Sequence, residues 1–308
     1  MKRKARGASK GVEYLLELVN GHSTGREVEK LRKIKSELDE LNNMIGNEDV
    51  KTLISSRVLM LVQGLNGNEM TNTALMGPPG VGKSTLAYII GNIFKKLGIL
   101  KRAKFYSVGR EDLIGQFLGE TAIKTREVLE SSLGGVLFID EAYSLGNNEK
   151  RDSFSKECID TLTKFLSEHP KDILVIIAGY ENDLQESFFN QNPGLDRRFP
   201  WRFKMKHYKG NELKEIFKLQ MRKEGWRIES DEKLLELFNK NESVFQNNGG
   251  DTENLFACIK VEHSVRVFNK PKKYKKFMNN EDIEKGFAVY LSNKPKEDNK
   301  AFLTTMYT

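Results

Sequence analysis

The chain has 308 residues, about two domain-lengths, and its 38% apolar and 30% charged residues are the balance of a charge-rich soluble protein that buries its own core. No run approaches the roughly 18 consecutive apolar residues of a membrane span, and no apolar segment follows the basic start as a secretory signal requires. Two cysteines, Cys158 and Cys258, exclude a disulfide scaffold and fit a reducing, cytoplasmic setting.

The net charge of +7 comes from two local runs, five basic residues in Met1–Lys10 and five in Lys270–Lys276. The rest of the chain is slightly acidic, so composition shows no basic groove. Residues 1–25 are Gly-, Lys- and Ser-rich and read as a flexible basic arm. Val28, Leu31, Ile34, Leu38 and Leu41 recur at three- and four-residue steps, which predicts an amphipathic helix over 26–43. A second helix follows over 48–65. Short apolar runs then alternate with helical patterns, at 73–76, 103–108, 135–139, 173–178 and 201–205. Strand–helix alternation at this spacing predicts a parallel sheet covered on both faces. From Lys206 the strand-like runs stop and four helical patterns follow, so an α/β domain over 26–205 precedes a helical domain and tail over 206–308.

The strongest chemical signal is Gly77-Pro78-Pro79-Gly80-Val81-Gly82-Lys83-Ser84, a complete GxxxxGK[ST] between a predicted strand and a predicted helix. Glycines there let successive backbone N–H groups of Gly80, Val81 and Gly82 wrap phosphate oxygens, and the helix N-terminus adds a favourable dipole. Lys83 then reaches the terminal phosphates, and the Ser84 hydroxyl ligates Mg2+. The second signal is Val136-Leu137-Phe138-Ile139-Asp140-Glu141, a buried strand ending in two carboxylates 57 residues after Lys83. Asp140 suits the Mg2+ shell and Glu141 a water in line with the γ-phosphate. One aspartate suffices to hold a metal, so the adjacent acid favours hydrolysis of ATP over binding alone.

These motifs, with Phe117-Leu118-Gly119-Glu120-Thr121-Ala122 between them and Ile177-Ala178-Gly179-Tyr180 and Asn192-Pro193-Gly194-Leu195 beyond, resemble an AAA+ ATPase. The branch they resemble holds stage V sporulation protein K and red-type Rubisco activase. The resemblance implies a P-loop NTPase with a parallel five-stranded sheet between helices and a small all-α lid, using ATP and Mg2+. It implies that Ile45-Gly46 borders the adenine, that Pro79 to Thr85 cradle phosphate, and that Arg197 and Arg198 supply arginine fingers to a neighbour, with Arg198, nearer to Phe199, the first choice. It also implies that Phe117 and Leu118 form a pore loop in a ring, hexameric by the family's habit. Two departures stand out. The end of the fourth strand reads Ala178-Gly179-Tyr180-Glu181-Asn182, without the family's usual polar sensor. Gly249-Gly250-Asp251-Thr252 replaces the family's Gly-Asn-Ala-Arg, leaving Lys260 or Arg266 to supply a second sensor. The leading expectation is thus a protein remodeller acting on a protein client. A nucleic-acid motor contacting phosphates through the two basic runs is the alternative, and a nucleotide switch with little turnover is the third.

Overall fold

The computed structural model describes residues 11–67, 69–102, 104–117, 119–146 and 152–294, which fall into two compact units divided after His207. The basic run in Met1–Lys10 and Leu118 lie outside the described residues.

The first unit opens with α1 (Val12–Asn20), α2 (Arg26–Lys33), α3 (Lys35–Asn43) and α4 (Glu48–Gln63). In the part of the expected flexible arm that is described, residues 11–25, the structure instead holds a helix: Val12, Leu15 and Val19 share one face and are buried, a driving force that the surrounding glycines and lysines conceal in the sequence. The single helix expected over 26–43 is broken at Ile34, whose φ of −107° and ψ of 17° separate α2 from α3. Glu37 of α3 is buried and pairs with Lys96 at 2.7 Å.

The sheet follows as β1 (Thr73–Met76), β2 (Phe105–Val108), β3 (Val136–Ile139), β4 (Leu174–Gly179) and β5 (Trp201–Lys204), in the order β2-β3-β4-β1-β5. All four pairings are parallel. Every residue of β1, β3 and β4 is buried, whereas the edge strands β2 and β5 are partly exposed, which is why the central strands read as continuous apolar runs. Connecting helices are α5 (Lys83–Lys96), α6 (Arg110–Leu113), α7 (Glu120–Ser131), α8 (Ser153–Glu168), α9 (Glu181–Asp183) and α10 (Leu195–Arg198). Alternate strand residues Ala74, Met76, Leu137, Ile139, Val175 and Ile177 pack with Cys158, Ile159, Leu162 and Phe165 of α8. On the opposite face Phe94 of α5 meets Trp201 edge-on at 5.7 Å. A π-helical turn, Leu184–Phe188, carries three buried residues after β4, Leu184, Ser187 and Phe188.

The second unit comprises α11 (Gly210–Lys223), β6 (Arg227–Ile228), α12 (Asp231–Lys240), α13 (Gly249–Arg266), β7 (Phe277–Met278) and α14 (Asn280–Asn293). Its core is aromatic, with Phe217 in edge contact with Phe238 and Phe256. The all-α expectation is amended by the parallel pairing of β6 with β7, two residues each, too short to leave a period in the sequence. Among the described residues no helix is long and apolar enough to cross a membrane.

Candidate nucleotide site

Parallel strands deliver their following loops to one edge of the sheet, where open α/β folds bind ligands. Met76 is in register with Gly179, and the Gly77 N–H donates to the Gly179 carbonyl at 3.1 Å. The loop after β1 and the residue after β4 are thereby adjacent despite their distance in sequence. Ile139 is in register with Ile177, which brings Asp140 and Glu141 to the same edge.

The loop 77–82 turns on Gly80 and Gly82, at φ 70° and 90°, a left-handed region open to glycine at no steric cost. At Gly77 a Cβ would stand 2.7 Å from the Met205 carbonyl oxygen, so the strand can bend into the loop only without a side chain. Lys83 opens α5, is 8% exposed, and donates from Nζ to the carbonyls of Gly77 and Pro78, each at 2.9 Å. Burial pulls its ammonium below the ordinary lysine range, opposed by the carboxylates of Glu141 and Asp140. Ser84 and Thr85 are exposed in the first turn. The helix is carried by Leu86, Ala87, Ile89, Ile90, Ile93 and Phe94, all buried.

Glu141 follows Asp140 with φ 49° and ψ 42°, one of three non-glycine residues with positive φ among those described. Its N–H donates to Asp140 Oδ1 at 3.0 Å. Backbone strain of this kind is retained where surrounding packing enforces it; here buried Ala142 and Leu145 anchor the turn that follows. Burial and the neighbouring Asp140 raise the Glu141 carboxyl above its ordinary range, with Lys83 opposing. The residues fit a bound triphosphate and Mg2+: a glycine cradle, one ammonium, the exposed Ser84 hydroxyl and the Asp140 carboxylate lie along a single edge. Among the described residues no group of three His, Cys, Asp or Glu could hold a metal by itself, and Ser84 with Asp140 makes an incomplete set of the kind that phosphate and water oxygens complete.

Ile45 and Gly46 are half-buried just before α4. Next to them Asn47, itself at φ 54°, accepts at Oδ1 from the Lys206 N–H at 2.9 Å. Tyr180, which sequence reasoning left without a role, presents its ring to Lys83 Nζ at 5.4 Å from the centroid.

The remaining expected residues lie elsewhere. Thr73, at the start of β1, is in register with Trp201, so Arg197 and Arg198 in α10 sit at the opposite edge of the sheet, roughly 13 Å of strand away. Arg198 donates from Nη2 to Ser167 Oγ at 2.7 Å and from Nη1 to the Gly194 carbonyl at 3.3 Å, while Arg197 is exposed. The Arg198 guanidinium is thus bonded within its own unit. Phe117 is 67% exposed. Its N–H and that of Gln116 donate to Glu120 Oε2 at 3.1 and 3.2 Å, so the loop is pinned by the first residue of α7, a role missed in the sequence. Lys260 is paired with Glu224 at 3.0 Å and Arg266 with Asp282 at 2.6 and 2.7 Å. Both cations are paired within the second unit.

Fold and edge together define a P-loop nucleoside-triphosphate hydrolase followed by a helical unit. A family model described as "ATPase family associated with various cellular activities (AAA)" matches residues 73–200. The putative cfxQ-like protein R730 of Acanthamoeba polyphaga mimivirus is 37% identical over 280 residues, 89% of this chain and 69% of that protein. The chloroplastic ribulose bisphosphate carboxylase/oxygenase activase of Cyanidioschyzon merolae is 32% identical over 261 residues, 80% and 89% of the two chains. Stage V sporulation protein K of Bacillus subtilis is 34% identical over 218 residues, 68% and 64%. Among solved structures, Thermotoga maritima RuvB, a Holliday junction branch migration motor, superposes with a TM-score of 0.55 at 22% identity, over 81% of this chain and 71% of that one, a likeness of fold. The chain belongs to the AAA ATPases, in the branch of the cfxQ-like and sporulation K proteins, and is an ATPase.

Proposed function

We propose that this ATPase assembles into a ring, a hexamer by the family's habit, and spends ATP to remodel a protein client gripped by Phe117. The observation that carries the reading is a large apolar ring, 67% exposed, on a short loop whose backbone is anchored by Glu120. Exposed aromatics on positioned loops serve contacts, and an apolar ring presses on polypeptide without reading sequence. A relative named as an activase of an enzyme supports a protein client.

In this reading the N–H groups of Gly80, Val81 and Gly82 hold the phosphates, and Lys83 leaves the Gly77 and Pro78 carbonyls for the terminal phosphates. Ile45 and Gly46 border the adenine. Ser84 and Asp140 would hold Mg2+, which supplies neutralising charge on the phosphate oxygens. Glu141 takes the proton of the attacking water, and burial, which raises its carboxyl above the ordinary range, makes it a better base. Arg197 of each subunit completes the adjacent subunit's site, because its own lies across the sheet. Within the second basic run, the Lys275 ammonium donates to the carbonyls of Val267 and Phe268, which ties that side chain to its own unit.

A photo-crosslinking side chain placed at Gln116 in the Glu141→Gln variant, loaded with ATP and incubated with cell extract, tests the client class. The expected adduct is a protein, lost with Phe117→Ala and with Lys83→Ala. An adduct with nucleic acid overturns the reading in favour of the motor.

A further inference from the structure

Lys83 holds its ammonium in a place that hydrogen bonding alone does not explain. Its three protons find two backbone carbonyls, of Gly77 and Pro78, and the side chain is stripped of most of its water. Besides the carboxylates of Glu141 and Asp140, whose charges oppose the effect of burial, the cation meets the ring of Tyr180, 5.4 Å away at its centroid. That ring is itself backed by Tyr143, at 5.8 Å and 34° between planes. Tyr143 lies in the turn immediately after Glu141. Gly179 allows the stack: a Cβ there would come within 2.9 Å of Tyr143 Cδ1 and 3.0 Å of Leu184 Cγ. One continuous contact therefore runs from the loop after β1, across the end of β4, to the turn that follows β3.

We propose that Tyr180 is a positioning residue for phosphate binding, its ring face seating the Lys83 ammonium and Tyr143 tying that seat to the turn that carries Glu141. A ring and a hydrogen-bonding side chain hold a cation differently. A polar residue at the end of β4 would engage one proton in one direction. An aromatic face attracts the cation as a whole, so contact persists while the flexible four-carbon stem moves the ammonium from the loop carbonyls toward a phosphate. The phenol hydroxyl is not required for that. Burial, followed by the carboxylates of Glu141 and Asp183, raises the phenol's pKa, so the hydroxyl stays neutral and adds no charge of its own against the phosphates. This inference rests on reading the loop 77–84 as the phosphate site.

The test is isothermal titration of the full chain with ADP and with a non-hydrolysable ATP analogue, comparing wild type, Tyr180→Phe, Tyr180→Leu and Lys83→Ala, each first checked by thermal melting. Phenylalanine should bind within about twofold of wild type. Leucine should bind roughly threefold to thirtyfold more weakly, the span of a desolvated cation–π contact. Adding Tyr180→Leu to Lys83→Ala should cost nothing further. A second readout needs no nucleotide: acylation of Lys83 by an amine-reactive ester, followed by peptide mass spectrometry, should be faster in the leucine variant and unchanged in the phenylalanine variant. If leucine binds like wild type while Lys83→Ala does not bind, the seat is overturned and the phosphate site stands. If phenylalanine is as weak as leucine, the hydroxyl does the work and the seat is overturned. Unaltered binding in Lys83→Ala sinks both readings. Should the leucine variant fail to fold, Tyr180→Met, unbranched and apolar, replaces it in the same comparisons.

Discussion

Asn72 donates from Nδ2 to the carbonyl oxygen of Arg198 at 3.0 Å, and its Oδ1 accepts from the Val175 N–H at 2.9 Å. Buried at the entrance of β1, this one amide joins the starts of three adjacent strands and fixes the arginine pair at the amino edge of the sheet, opposite the phosphate loop. The pair thus faces away from its own nucleotide.

Arg197→Ala should therefore depress turnover strongly, by about a thousandfold if it acts as a finger in trans, and leave nucleotide affinity per subunit unchanged. Arg198→Ala should act more mildly and through stability, because it loses its bonds to Ser167 and Gly194. Mixing decides the matter. An Arg197→Ala subunit with an intact site, added to a Lys83→Ala subunit with an intact arginine, should restore part of the turnover; no rescue in demonstrated co-assemblies excludes a shared site.

Glu141→Gln should bind ATP with wild-type affinity and hydrolyse it on the order of a hundredfold or more slowly. The amide retains the shape of the side chain and its place in the turn but cannot take a proton. Steady-state turnover with a titration of the same sample checks both halves. Undiminished turnover moves the base to another residue.

Much of this was legible in the sequence, and the failures have physical causes. Strands buried on both faces print as apolar runs, so β1, β3 and β4 were visible, and a phosphate loop is local, so its residues were too. Tyr180 was not assignable, because what gives it a role is the parallel register of Met76 with Gly179, a relation between residues far apart in the chain. Asn72 was invisible for the same reason. The helix Val12–Asn20 was missed because composition was averaged over 25 residues, although three buried side chains on one face suffice to dock nine. Glu120 has no sequence signal for its role, which is visible only where the loop's two N–H groups meet its carboxylate.

In the second unit, Asp282 is buried and accepts from Arg266 Nε and Nη2, with His263 Nδ1 2.9 Å from its Oδ2. Burial resists ionisation there, but the hydrogen bonds from Arg266 and His263 outweigh it and hold the carboxyl below the usual aspartate range. A depressed acid stabilises the fold above its unfolded value, and that contribution is lost as pH falls through the folded one. Asp282→Asn should cost about 3 kcal/mol, since it strands its partners, and should flatten the acid limb of a melting-temperature profile taken between neutral pH and pH 3. A melting curve identical to wild type at both ends contradicts this.

The choice of client rests on Phe117. With two thirds of the side chain in solvent, truncation removes little buried surface, so Phe117→Ala should change stability by no more than about 0.5 kcal/mol. It touches neither phosphate loop nor arginine pair, so basal hydrolysis and assembly should persist. What should vanish is the increase in hydrolysis when the client is added, together with any change in the client. Glu120→Ala provides the control. It leaves the aromatic ring in place but frees the N–H groups of Gln116 and Phe117, so it should weaken client stimulation in part by loosening the loop, whereas Glu120→Gln, which still offers an oxygen acceptor, should retain most of it. Calorimetric melting beside an ATPase assay with and without client separates these outcomes: a folded Phe117→Ala protein that still responds fully to its client would mean that the ring grips nothing, and the exposed loop would need another explanation.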